Sequence, residues 1–251
     1  MNNRDEGELL DKVVELVLKK GKRTQLNVAD YPTGLDQKVK DFENTVLSQQ
    51  HSGKFQVVGI AGLGGIGKTT LAKELFNRKI SNYSKAYFLS EIRENAAKSS
   101  LESLQSKFLK DLMHLDLHIG SSHQGIEMIS KHFPSSQVLL VLDDVDHVDQ
   151  VNALLPLKVK DFLHPNSLIL ITSRDKKVLA RSGVQDSSIY MLTGLDPQHS
   201  IELLCSHAFY QPHPLPGFEY LVDEFVKACN QMPLSLKVFG GLLNGNIDKS
   251  Y

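Results

Sequence analysis

Eight residues constrain this chain more than any others: Gly62-Leu63-Gly64-Gly65-Ile66-Gly67-Lys68-Thr69. An aliphatic run at 57–61 precedes them and reads as a buried strand, while Leu71, Ala72, Leu75 and Phe76 follow at helical spacing. A strand, a glycine-rich turn and a helix in that order make a cradle for phosphate. Backbone N–H groups must point at the anion from close range, and the positive end of the helix must face it. Glycines at 62, 64, 65 and 67 let the chain curl that tightly. Lys68 then brings a point charge to the β- and γ-phosphates, and the Thr69 hydroxyl reaches a Mg²⁺ held mostly by phosphate and water. Thr70 reaches the α-phosphate from the first helical turn.

The same glycines satisfy a rival pattern. Gly62-x-Gly64-x-x-Gly67 is also the dinucleotide fingerprint, and Glu91 stands near the end of the next candidate strand, where a ribose-binding acid would be wanted. The Lys68-Thr69 pair has no task in that fold, which favours the P-loop, with a merely flexible glycine turn as the bland alternative.

At 251 residues and 41% hydrophobic content, the chain can hold an ordinary domain plus a smaller one. Its formal charge of -1 offers no general field for nucleic acid or anionic membrane. Cys205 and Cys229 lie far apart in helical-looking patterns, as expected of buried thiols in a reducing compartment. The polar N-terminus lacks the apolar core of a signal peptide, and no run reaches membrane-spanning length. The expectation is a soluble cytoplasmic or nucleocytoplasmic protein, with neither membrane nor nucleic acid as partner.

In chain order, an amphipathic helix is expected around 9–18, ending in the basic cluster 19–23, then a turn at 27–34, a helix over about 36–47 and a polar loop at 49–53. A second strand reads at 86–89. Leu101, Leu104, Phe108, Leu109 and Leu112 then mark a helix packed on the sheet. His114, His118, His123 and His132 follow without metal-site spacing.

Five aliphatic residues at 138–142 run into Asp143-Asp144, which describes a strand buried on both faces with its acids at the ligand-binding edge. This looks like a Walker B element: Asp143 would hold Mg²⁺ through water, and Asp144 would orient or deprotonate an attacking water. The alternative is a simple helix cap. Lys68 and Asp143 are expected to converge from the ends of adjacent strands. A strand at 168–172 delivers Arg174 to the same edge, either as a γ-phosphate sensor or as the salt-bridge partner of a nearby acid. A strand at 188–192 would close a five-stranded parallel sheet flanked by helices. From residue 196 only helices are expected, one opened by Pro197 and two more over about 218–229 and 234–243.

These landmarks together resemble the NB-ARC module of plant disease-resistance proteins of the NLR class, within the STAND P-loop NTPases. They include Tyr31-Pro32-Thr33-Gly34-Leu35-Asp36, the P-loop, Phe88-Leu89-Ser90-Glu91-Ile92-Arg93-Glu94, Val141-Leu142-Asp143-Asp144-Val145-Asp146, Ile171-Thr172-Ser173-Arg174-Asp175, His207-Ala208-Phe209 and Met232-Pro233-Leu234-Ser235-Leu236. Asp146 is similar to the TIR-containing subclass. The resemblance implies three parts: an N-terminal helical linker (1–50), a P-loop nucleotide-binding domain (51–194) and a small helical ARC1-like domain (195–251).

It further implies an innate-immunity switch that holds ADP at rest, takes ATP when engaged, forms a homo-oligomer, and works with TIR and LRR domains or full-length NLR partners. Thr33 and Gly34 would lie against the adenine. The loop Gly65, Ile66, Gly67, Lys68, Thr69 and Thr70 would hold the phosphates, Arg174 would sense, and Pro233 would pack on base or ribose. Gln231-Met232 replaces the family's usual Gly-Leu, and Asn166 with Leu168 its Gly and Arg. The second ARC subdomain and the leucine-rich repeats would lie beyond residue 251, so the chain is expected to be a fragment or a truncated family member. The alternatives are a slow Mg-dependent ATPase or a truncated adaptor with a degenerate nucleotide site.

Overall fold

A computed structural model describes residues 25–48, 55–133, 135–156, 159 and 163–244. The helix expected at 9–18, the basic cluster at 19–23, the loop at 49–53 and the tail after residue 244 lie outside the described residues.

Alternating burial builds the centre of the molecule. Along β3 (Val138–Val145), Leu139 and Val141 pack to one side while Leu140 and Leu142 pack to the other, each at most 1% exposed. A strand apolar on both faces must be covered by helices on both, and β4 (Leu168–Ser173) is buried throughout in the same way. With β1 (Gln56–Ala61), β2 (Lys85–Leu89) and β5 (Ile189–Met191), these strands form an all-parallel sheet in the order β2-β3-β4-β1-β5.

That order settles two expectations. In a dinucleotide fold the second strand lies beside the first. Here β1 is flanked by β4 and β5, and β2 sits at the far edge, so the rival reading of the glycines fails. It also corrects the expected neighbourhood of β1 and β3. These strands are not adjacent: β4 lies between them, so the end of β4 is the floor between the loop and the acids.

One face is covered by α1 (Leu35–Phe42), whose last turns continue as a wider π-helix over Glu43–Leu47, and by α2 (Lys68–Lys79). The other is covered by α3 (Ile92–Lys98), α4 (Leu101–Met113), α5 (Ser122–His132), α6 (Val148–Leu154) and α7 (Lys176–Arg181).

A third apolar cluster belongs to α8 (Pro197–Phe209), α9 (Glu219–Ala228) and α10 (Pro233–Asn244). Asp196 caps α8 by accepting from the His199 N–H at 2.9 Å, with Pro197 in the first turn where its missing N–H costs nothing. Helices α8 and α10 approach closely at Gly240, where an added Cβ would lie 2.7 Å from the Leu204 carbonyl oxygen and from His207 Cβ. Cys205 and Cys229 are buried, unbridged thiols within this cluster.

Candidate functional site

Strand β1 ends at Ala61, and the loop that follows owes its shape to backbone conformations other residues avoid. Gly65 and Gly67 have φ of +79° and +101°. At Gly65 space is also closed, because a Cβ would lie 2.8 Å from Leu234 Cβ at the start of α10. The Leu234 N–H donates to the Gly65 carbonyl oxygen at 3.2 Å, tying the helical unit directly to the loop.

Helix α2 begins at Lys68, whose ammonium turns back to donate to the Gly62 and Leu63 carbonyl oxygens, both at 2.8 Å. The residue is only 7% exposed. Burial holds its pKa below the ordinary lysine value, helped by the neighbouring charge of Arg174, while Asp144 and Asp143 oppose the shift. Among the described residues this ammonium has no carboxylate in ion-pair contact, so its charge is held by carbonyl dipoles. An anion entering the cradle relieves that cost.

The two acids share a β-bulge. Leu142 pairs with Ile171 and Val145 with Ser173, so Asp143 and Asp144 together oppose Thr172. The Thr172 hydroxyl donates to Asp143 Oδ1 at 2.7 Å and accepts from the Asp144 N–H at 2.9 Å, and Ser173 Oγ donates to the Val145 carbonyl at 2.7 Å. Asp144 takes φ of +56°, a conformation Asp tolerates better than most residues. The bulge breaks the alternation of a regular strand, and both acids line one cavity. Neither caps the following helix; the Gln150 side chain does, accepting from the Asp146 and His147 N–H groups.

Asp143 is 1% exposed and accepts from Thr69 Oγ1 with both oxygens, at 3.0 Å each. Burial pushes its carboxyl above the usual range, against the pull of the Thr172 and Thr69 hydrogen bonds. Hydroxyl and carboxylate oxygens side by side are a hard donor pair suited to Mg²⁺. Among the described residues no group of three or more acidic, His or Cys side chains could hold a metal alone, so phosphate and water would have to complete the shell.

Asp144 meets an arginine with each of its oxygens. Its Oδ2 accepts from Arg93 Nε at 3.0 Å, and its Oδ1 faces Arg174 Nε at 3.5 Å. Arg174 therefore shows its salt-bridge alternative, yet its guanidinium also lies against the loop: a Cβ on Gly64 would be 3.2 Å from Arg174 Nη1.

These groups open onto a cavity of about 720 Å³ between the sheet edge and the helical unit. Of the residues expected to bind, Thr33, Gly64, Gly65, Ile66, Gly67, Lys68, Thr69, Thr70, Asp143, Asp144, Arg174 and Pro233 line it. Gly34 and Gly62 do not. Gly34 turns the chain into α1 at φ of +69° against His199 and Leu195, and Gly62 contributes its carbonyl to Lys68. The far end is walled by a segment tied down where Leu26 exchanges two hydrogen bonds with the Asn77 side chain, at 2.8 and 2.9 Å. There Tyr31 meets His207 edge to face at 4.8 Å, and Asp30 pairs with Lys237 at 3.3 Å. Gln231 holds φ of +60°.

Arg93 and Thr172, which hold the two acids without lining the cavity, and Lys237, which lines it, are residues that the sequence alone does not single out. Thr172 reads as an ordinary strand threonine until β4 is known to lie between β1 and β3, and Arg93 sat within a recognisable motif with nothing local to name its partner.

The NB-ARC domain family profile matches residues 36–213. The chain belongs to this family. It is similar to disease resistance protein RPV1 of Vitis rotundifolia, at 33% identity over 245 residues, covering 97% of this chain and 17% of that protein. It is also similar to the TMV resistance protein N of Nicotiana glutinosa, at 30% identity over 251 residues, covering 97% and 21%. The chain thus spans about a fifth of the length of these curated relatives. Among solved structures, CDC6P from Pyrobaculum aerophilum aligns with a TM-score of 0.57 at 14% identity, covering 88% of this chain and 62% of that one, a likeness of fold alone. This is an NB-ARC module of the plant disease-resistance type on a P-loop NTPase fold.

Proposed function

We propose that this NB-ARC module is a nucleotide-gated switch, holding ADP at rest and ATP when active, within intracellular defence signalling. The observation that carries the reading is the buried Lys68 ammonium, held by two loop carbonyls in the wall of a cavity of about 720 Å³. A polyphosphate replaces those carbonyls with a full negative charge. The loop from Gly65 to Thr70 holds the phosphates, Thr69 and Asp143 hold Mg²⁺, and Thr33 and Pro233 flank the base or ribose. Bound Mg²⁺ screens the phosphate charge.

On this reading the nucleotide-binding domain comprises residues 51–194 and the ARC1-like domain residues 195–251. The switch acts with TIR and leucine-rich-repeat regions or full-length NLR partners, and self-associates when ATP-bound. Hydrolysis is slow, because both oxygens of Asp144 are already engaged by arginines.

Calorimetry on the nucleotide-stripped chain is expected to give micromolar or tighter binding of ADP, lost in Lys68→Ala. An absence of binding below about the millimolar range, roughly 4 kcal/mol, would exclude the switch.

A further inference from the structure

Asp144 is shared. Arg93, the second residue of α3, holds Oδ2, and Arg174, just beyond β4, faces Oδ1 with Nε while its guanidinium lies against Gly64 of the loop. One carboxylate thus meets two guanidiniums, and Arg174 is the one poised over the cradle. A terminal phosphate competes with Asp144 for Arg174, and it also approaches the negative charge of Asp144. Were Arg174 the only partner, its transfer to phosphate would leave a carboxylate, 22% exposed, unpaired beside an anion, with the penalty of an unmatched charge added to like-charge repulsion.

We propose that Arg93 is the positioning residue that lets this site tell ATP from ADP. It keeps Asp144 paired when Arg174 moves to the terminal phosphate, so discrimination between the two nucleotides acts through Asp144. The inference rests on the switch reading and extends it to a residue that does not line the cavity.

The test is calorimetric titration of the full 251-residue chain with ADP and with β,γ-methylene-ATP, which keeps the third phosphate and is not hydrolysed. Arg93→Gln is expected to weaken the analogue about tenfold, some 1.4 kcal/mol, and to leave ADP within about twofold. In an Asp144→Asn background the same change is expected to shift the ratio less than about twofold, a coupling that general loosening of α3 would not produce. Arg93→Lys keeps the charge without the planar fork, so it should lose less than the glutamine variant. Should Arg93→Gln fail to fold, the lysine variant decides: a loss confined to the analogue supports the proposal, and an equal loss for both nucleotides overturns it. Equal loss in Arg93→Gln, no loss, or a loss that persists without the Asp144 charge overturns it too. If the wild-type chain binds ADP and only the ratio is unmoved, the switch reading survives alone; if it binds neither nucleotide, both readings fall.

Discussion

Asp143 sits where a carboxylate is costly. Almost wholly buried, it is held by the Thr69 and Thr172 hydroxyls, and desolvation outweighs them in raising its pKa. A carboxyl whose folded pKa is raised adds stability that is fully present below its unfolded value and is lost as pH climbs through the folded value. At neutral pH the ionised group therefore works against folding. Asp143→Asn, nearly the same shape without the charge, is expected to raise the melting temperature at pH 7, by about 2–4 °C for each kcal/mol relieved in a chain of this size. The gain should shrink as pH falls into the carboxylate range, while Mg²⁺-dependent nucleotide binding is lost. Melting curves between about pH 4 and 8 check this, and an equal or lower melting temperature at pH 7 would show that the hydroxyl hydrogen bonds dominate instead. Lys68, Thr69 and Asp143 were legible in sequence because each follows from spacing within a single strand-loop or strand-end motif. Thr172 and Arg93 were not, since their roles arise from a strand order and a bulge that no local spacing encodes.

Among the elements, α10 gives two neighbouring glycines opposite assignments. At Gly240 a methyl group would meet His207 Cβ and the Leu204 carbonyl at 2.7 Å, and at Gly241 it would meet nothing within 4 Å. Gly240→Ala must push α8 and α10 apart and is expected to cost about 1–3 kcal/mol. Gly241→Ala, at an open position of the same helix, should gain roughly 0.5–1 kcal/mol from helix propensity. Urea denaturation of both variants measures the contrast, and equal effects would mean that α10 does not pack on α8 at this contact. The five strands and helices α1, α2, α4, α8, α9 and α10 were readable, whereas the short helices α3, α6 and α7 and the histidine-bearing α5 were not. Apolar runs bounded by turns marked the five strands, and Asp196-Pro197 marked the start of α8. The π-helical turn after Phe42, with Val46 buried against the sheet's cluster, was not readable. Nor was the insertion of β4 between β1 and β3, since strand order is set by crossovers and not by any strand's own residues.

At the scale of the whole molecule, the glycine loop and the strand ends wall one side of the cavity, and the helical unit with the segment 26–33 walls the other. Among the described residues few direct bonds join them: Leu234 to Gly65 at 3.2 Å and, through the segment before α1, the exposed Lys237–Asp30 pair at 3.3 Å. An exposed pair of that kind contributes little by itself. A ligand spanning the cavity would join both walls at once, and any species bound only by the joined state stabilises it by mass action, about 2.7 kcal/mol at a ligand concentration of 100 times Kd. Hydrogen exchange reads this coupling directly. With saturating ADP, protection should rise not only in the first turn of α2 around Lys68 but also at the Leu234 amide that closes on Gly65 and through the first turns of α10. In Lys68→Ala both regions should exchange as in the free protein, because losing the phosphate anchor releases the base end too. Protection confined to α2, with α10 unchanged, would mean that the nucleotide is gripped by its phosphates alone, leaving the helical unit no means of reporting which nucleotide is bound.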